Sequence, residues 1–137
     1  MRSTEFSVRT RQEEEFVDIT EEVRRALRSL KADNGICHVF VPHATAAVAI
    51  NENADPNIGR DILWALDKAV PKHAGYRHDR IDNNAAAHIK ASIIGPSESV
   101  PVREGDIVLG TWQDIFLCDF DGPRERRIIV TFVGETE

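Results

Sequence analysis

The chain is poor in several things, and each scarcity excludes a class of protein. It has two cysteines, Cys37 and Cys118, in 137 residues, too few for a small scaffold stapled by disulfides. Both fall in predicted strands, where they read as small buried residues kept reduced in a cytoplasmic protein; their adjacency in space stays open at this point. No apolar run approaches the roughly 20 residues needed to cross a bilayer, so the chain does not span a membrane. The opening Met1-Arg2-Ser3-Thr4-Glu5 leads into a polar alternating segment without the apolar stretch of a secretory signal, which agrees with a cytoplasmic location. Basic residues are outnumbered, 17 Lys and Arg against 23 Asp and Glu, and the net charge of −6 argues against nucleic acid as a partner. Repeats, low-complexity tracts and linkers are also missing, so residues 1–137 read as one domain. A chain of that length buries roughly two thirds of its unfolded surface, enough for a real core.

What is present is densest from Gly105 to Arg127, GDIVLGTWQDIFLCDFDGPRERR. Ile107 and Leu109 share one face of a predicted strand, and Ile115 and Leu117 share a face of the next. Thr111-Trp112-Gln113 forms the bend between them, and Gly122-Pro123 breaks the pattern. The arm also carries an acidic pair, Asp119 and Asp121, beside an arginine-bearing turn. Such a set can arrange charge for a substrate or ion. A solvated turn whose aspartate bonds its own backbone explains Asp121-Gly122-Pro123-Arg124 equally well.

Taken in order, Thr4–Arg11 and Phe16–Ile19 alternate apolar with polar residues and read as an opening hairpin. Thr20 offers a helix N-cap, Glu21 and Glu22 suit the helix dipole, and Val23, Ala26, Leu27 and Leu30 form one stripe before Asn34-Gly35 ends the helix. Ile36–Val41 is a strand closed by Pro42, followed by the HATAA segment from His43 to Ala47 and more extended chain from Val48 to Asn51. Asp55 caps a second helix with Pro56 in its first turn; Ile58, Ile62, Leu63, Leu66 and Ala69 lie on one side, and it stops before Pro71. Lys72–Asp82 lacks periodicity and is a loop long enough to have a function. Asn83 and Asn84 cap a third helix that runs to Ile94, where Gly95-Pro96 ends it. Val100–Val102 and Arg127–Val133 complete about seven strands and about three helices, in an order that does not alternate as a doubly wound fold does. The fold class is α+β, a single domain with a mixed or antiparallel sheet.

His43, His78 and His88 each stand beside structural punctuation, and imidazole serves both as a metal ligand and as an acid or base near neutral pH. Their convergence with Asp119 would make a site. No compact metal-binding signature accompanies them, and an isolated histidine is more often a hydrogen-bonded surface or core residue, as His38 and His73 are read. Arg124, Arg126 and Arg127 follow the Gly-Pro turn, and a guanidinium fork fits phosphate or carboxylate oxygens; charge that protects an edge strand is the plainer alternative. Lys90 adds a cation on the helix of His88. Glu52, Asp55 and Asp61 are explained by helix capping and dipole terms, and Trp112 by a place in the core, although Trp112 and Gln113 could also line a pocket.

These motifs together resemble the YjbQ family, the small proteins named secondary thiamine-phosphate synthase enzymes. The likeness is carried by GICHVFVPHATAAVAINENADP at 35–56, the Tyr76-x-His78 pair, NAAAHIKASIIG at 84–95 and PVREGDIVLGTWQDIFLCDFDGPRERR at 101–127. Two positions depart: Asp119 stands where the family usually has Glu, and Ala44 where it commonly has Thr. The resemblance implies a ring-like homotrimer with its polar residues in a cleft near a subunit boundary. It implies a synthase joining hydroxymethylpyrimidine diphosphate, a phosphorylated small-molecule substrate, to a thiazole phosphate with release of pyrophosphate. His43, His88 and Asp119 would be catalytic, and Asn84, Lys90, Thr111, Gln113 and Arg124 would bind substrate. His43, His78 and His88 would hold a divalent metal ion, Mg or Zn. The alternative is a trimeric metal- or metabolite-binding protein whose catalysis is incidental.

Overall fold

The computed structural model describes residues 1–137. Its eight strands form two separate antiparallel sheets. Five strands, β1 (Arg2–Arg9), β3 (Ala32–Phe40), β5 (Ser97–Arg103), β6 (Asp106–Ile107) and β8 (Glu125–Thr136), pair in the order β1-β8-β3-β5-β6. The other three, β2 (Glu15–Asp18), β4 (Ala46–Glu52) and β7 (Gln113–Asp119), pair in the order β2-β7-β4. Helices α1 (Thr20–Ser29), α2 (Asn57–Ala69) and α3 (Ala85–Ile94) complete the domain, with a single 3₁₀ turn at Arg77–Arg80.

The run Ile115-Phe116-Leu117-Cys118 shows why the sheets stack. A strand turns successive side chains to opposite faces, so an unbroken apolar run needs cover on both sides. Ile115 and Leu117 enter the main core with Val23, Ala26 and Leu27 of α1 and with Cys37, Val39, Val130 and Phe132 of the five-stranded sheet. Phe116 and Cys118 face the other way, into a smaller cluster with Ala87 and Ala91 of α3 and the half-buried Phe16, Leu63 and Leu66. The three-stranded sheet is therefore the middle layer, with α2 and α3 outside it.

Several expectations change. The opening segments are not a hairpin: β1 pairs with β8 and β2 with β7, in different sheets. The two predicted strands of the Gly105–Arg127 arm do not pair with each other, because the chain leaves the five-stranded sheet after Ile107 and enters the three-stranded one at Gln113. Helix α1 stops at Ser29, where Lys31 at φ 56° turns the chain, and Asn34-Gly35 lies inside β3. Gly35 is there for close approach to Gly134: a Cβ would stand 2.3 Å from the Val133 carbonyl oxygen. The N-terminal nitrogen of α3 is satisfied by Asp79, whose Oδ1 accepts from Ala85 N at 2.9 Å, and neither Asn83 nor Asn84 makes that bond. Cys37 and Cys118 are free and buried in separate clusters. Trp112 is 64% exposed, not core. No helix is long and apolar enough to cross a membrane.

Candidate functional site

The corner between β7 and β8 is set by Gly122-Pro123, a cis peptide. Gly122 N donates to Glu13 O at 2.8 Å, and a Cβ on Gly122 would lie 2.2 Å from Gln12 O, so only glycine fits. Beneath the corner, Asp119 is fully buried and all of its acceptor capacity is used. Its Oδ1 accepts from Arg126 Nη2 at 2.7 Å and from Asp121 N at 3.0 Å; its Oδ2 accepts from Thr10 Oγ1 at 2.7 Å and from Arg126 Nε at 3.2 Å. Burial alone would push this carboxyl up, but the Arg126 guanidinium, the Thr10 hydroxyl and the Asp121 amide hold it below the usual carboxylate range. Arg126, only 3% exposed, sends its other Nη2 bond to Thr45 Oγ1 at 2.9 Å. Asp119 thus stands behind the site wall, buried and outside the lining of the cleft in front of it. The edge-strand explanation of the arginines fails as well, since β8 lies between β1 and β3.

In front of this wall is an open cleft of about 640 Å³, whose lining includes Arg9, His43, Asn84, His88, Asp121 and Arg124. Four segments that are remote in sequence build it: the end of β1, the connection after Pro42, the start of α3 and the Gly-Pro corner. Arg124 is anchored through Nε to Asp121 O at 2.8 Å and through Nη2 to Asp121 Oδ2 at 3.2 Å, which leaves Nη1 for a ligand. Asn84 Nδ2 donates to the same carboxylate oxygen at 2.9 Å. His43 Nε2 accepts from Arg127 N at 2.9 Å. That bond requires the ring proton to be on Nδ1 in the neutral imidazole. Burial and the charges of Arg126 and Arg127 lower the His43 pKa.

The three histidines meet only in part. His43 and His88 both line the cleft. His78, in the 3₁₀ turn, packs edge-on against His88 with ring centroids 4.7 Å apart, and its Nε2 is 3.6 Å from Asp82 Oδ2. No three His, Cys, Asp or Glu side chains of the chain are spaced to hold a metal ion. The His43–His78–His88 triad therefore does not fit a metal within one chain, and the Nε2 of His43 is already occupied.

Other residues expected at the site lie elsewhere. Lys90 is 1% exposed and tied to Glu14, at 3.2 Å, and to Asp67, so its charge is already neutralised by protein carboxylates. Thr111 and Gln113 are exposed, and Gln113 lies at the opposite end of β7 from Asp119, with its Oε1 accepting from Gly110 N at 2.8 Å. Strand geometry separates those two ends by about 20 Å. Arg9, Thr10, Thr45 and Asp79 escape sequence reasoning; Thr10 and Thr45 act by bonding across more than a hundred and about eighty positions of chain respectively, a separation that no local pattern encodes.

An antiparallel α+β domain of two stacked sheets with a polar cleft at one corner is the class this geometry defines. The chain belongs to the family described as UPF0047 protein YjbQ-like, whose sequence model matches residues 4–135. A UPF0047 protein of Archaeoglobus fulgidus is 45% identical over 92% of this chain and 97% of its own, and UPF0047 protein YugU of Bacillus subtilis is 41% identical over 94% and 97%. Among solved structures, a YjbQ/UPF0047 family protein of Clostridium acetobutylicum superposes with a TM-score of 0.91 at 44% identity, covering 95% of this chain and 99% of that one. A YbjQ-like protein of Sulfolobus solfataricus gives a TM-score of 0.93 at 41% identity, covering 98% and 97%.

Proposed function

We propose that the chain is an enzyme acting on a phosphorylated small molecule in the His43–His88 cleft, with thiamine-phosphate synthase activity as its reaction. One observation carries the proposal: Arg9 and the part-free guanidinium of Arg124 share a single open cleft with two imidazoles. Arginine forks suit phosphate oxygens. In the proposed reaction the thiazole ring nitrogen gives its lone pair to the exocyclic carbon of the pyrimidine. The bond from that carbon to the diphosphate oxygen breaks, pyrophosphate leaves with the electron pair, and the new ring nitrogen carries the positive charge. No proton must leave the nucleophile, so the protein's work is to hold the two partners together and stabilise the departing oxygens. A divalent ion, Mg or Zn, enters the proposal only as a companion of the diphosphate, since no three donors of the chain converge.

A homotrimer is part of the same proposal. Ile36 and Val133, register partners on adjacent strands, are 47% and 54% exposed and offer it an apolar contact. The cytoplasm is the proposed compartment, because two free buried thiols suit reducing conditions. The test is pyrophosphate release from the two substrates with Mg²⁺ present, by wild type and by His88→Ala. Release by wild type that falls at least about ten-fold in the variant supports the enzyme, with the His88 imidazole donating to the departing pyrophosphate oxygens. Binding of pyrophosphate without turnover makes the chain a metabolite-binding protein and ends the synthase proposal.

A further inference from the structure

Helices α1 and α3 each bury several side chains, and α2 buries none. The contrast extends beyond the helix. Across residues 54–83, which hold α2, the 3₁₀ turn and the loop between them, Val70 is the one buried residue. The backbone of that span makes no hydrogen bond to the backbone of the rest of the chain. Its attachments are side chains: Leu63 and Leu66, half-buried on the Phe116–Cys118 cluster, Asp79 Oδ1 on Ala85 N at 2.9 Å, His78 against His88, and a set of ion pairs.

In that set, Asp67 of α2 meets Lys90 of α3, and Lys72 meets Glu13 and Glu14 at 3.0 and 3.3 Å. The buried Lys90 also meets Glu14 at 3.2 Å. One ammonium is thus shared between a carboxylate of the body and a carboxylate of the span. A buried charge stranded without a partner is costly, but when Asp67 withdraws, water reaches Lys90 and Glu14 stays with it. Both ends of the span are pinned. Asn53 N donates to Trp112 O at 3.0 Å and its Nδ2 to Asp18 and Asp114, while Asn84 Nδ2 donates to Asp121 Oδ2 at 2.9 Å. Asn83, just inside the second pin, is at φ 56°, a left-handed conformation that asparagine adopts more readily than most residues.

We propose that residues 54–83 are a lid that lifts as a unit from the three-stranded sheet, with the Lys90–Asp67 pair as its catch. Its far end brings Asp82 into the lining of the open cleft and sets His78 against His88, so lifting removes one side of the cleft. With few buried contacts to break, the lid opens far more often than the main core, which α1, β7 and the five-stranded sheet keep closed. None of this depends on the reaction proposed for the cleft.

Hydrogen–deuterium exchange of the whole chain, read amide by amide by NMR and corrected for intrinsic rates, tests the lid. In wild type the amides from Leu63 to Lys68 exchange at least about 100-fold faster than the slowest amides of β8, and they share one opening equilibrium. Asp67→Asn, at a half-exposed position, speeds those α2 amides at least about ten-fold. Leu27→Ala damages the main core, which stays folded while the lid is up. It therefore speeds the β8 amides and leaves those of α2 within about two-fold. Ile128→Val takes its place if that variant does not fold. The proposal is overturned if α2 and β8 exchange together in wild type, or if protection falls steadily toward the ends of α2, which is fraying. It is equally overturned if Asp67→Asn leaves α2 unchanged, or if the core variant speeds both elements alike.

Discussion

Asp119 and Arg126 form a forked ion pair across the two sheets, one at the end of β7 and the other near the start of β8, with Nη2–Oδ1 at 2.7 Å and Nε–Oδ2 at 3.2 Å. The pair clamps the corner on which the cleft wall is built. Removing one partner strands a buried charge, so Asp119→Ala should lower stability by about 3 to 5 kcal/mol in urea denaturation at pH 7. Because the folded carboxyl is held below its ordinary range, its contribution is full above pH ~4 and fades as acid titrates it below that. The variant and wild type should therefore converge as pH falls through the folded pKa. A cost under about 1 kcal/mol at pH 7 would show that the clamp is not structural.

His43 gives a second pH signature. Burial and the nearby arginine charges lower its pKa, and the Arg127 N–H needs its Nε2 lone pair. Protonation of His43 must break that bond. A folded pKa below the unfolded value of ~6.5 means that this term favours the native state above pH ~6.5 and is lost as pH falls through the folded pKa. Heteronuclear NMR should find the His43 ring neutral at pH 7, protonated on Nδ1, with a midpoint below that of a model histidine. A midpoint above ~6.5 would contradict the bond.

Local pattern made much of the fold legible. The α1 stripe of Val23, Ala26 and Leu27, the stop of α2 before Pro71 and the end of α3 at Gly95 all follow from periodicity and punctuation. Partnership between distant strands did not. The alternation in Thr4–Arg11 fixes which side chains point inward, and Phe6 and Val8 do pack on the core, but it carries nothing about β8 as the neighbour. The same limit divides the site. His43, His88 and Arg124 announce themselves by position and do share a cleft. Lys90 looks like a free cation until Glu14, on another segment, is found beside it. Asp79 is hidden in the loop because its bonding group is the amide of Ala85.

The thiols should be silent. Burial pushes Cys37 up to about 12 and Cys118 also upward, and thiolate is the reactive form. An Ellman titration of native protein at pH 8 should read no fast-reacting thiol, and one in guanidinium should read both cysteines. Rapid reaction of either under native conditions would mean that its cluster opens.

Lys90 separates a structural charge from a binding one. Lys90→Ala leaves Glu14 and Asp67 facing each other without the ammonium between them, and burial already raises the pKa of Glu14. Loss of about 2 to 4 kcal/mol of stability is expected, most of it above the carboxylate pKa values where both groups are charged. Pyrophosphate affinity should change less than about two-fold, since Lys90 is absent from the lining of the open cleft. A large drop in affinity with unchanged stability would put Lys90 back among the ligand-binding residues.

Arg124 should behave in the opposite way. More than half of its side chain is exposed, and its side-chain hydrogen bonds go only to Asp121, so Arg124→Ala should leave stability within about 0.5 kcal/mol. Pyrophosphate binding should fall about ten-fold or more, because a charge-assisted bond to phosphate disappears. Arg124→Lys tests the geometry: an ammonium keeps the charge but cannot bond Asp121 and reach outward in one plane. It should recover little affinity at physiological salt, and more at low salt, where a point charge acts at longer range. Full recovery by lysine at both salt levels would reduce Arg124 to a source of field, and the fork held by Asp121 would then have no part in recognition.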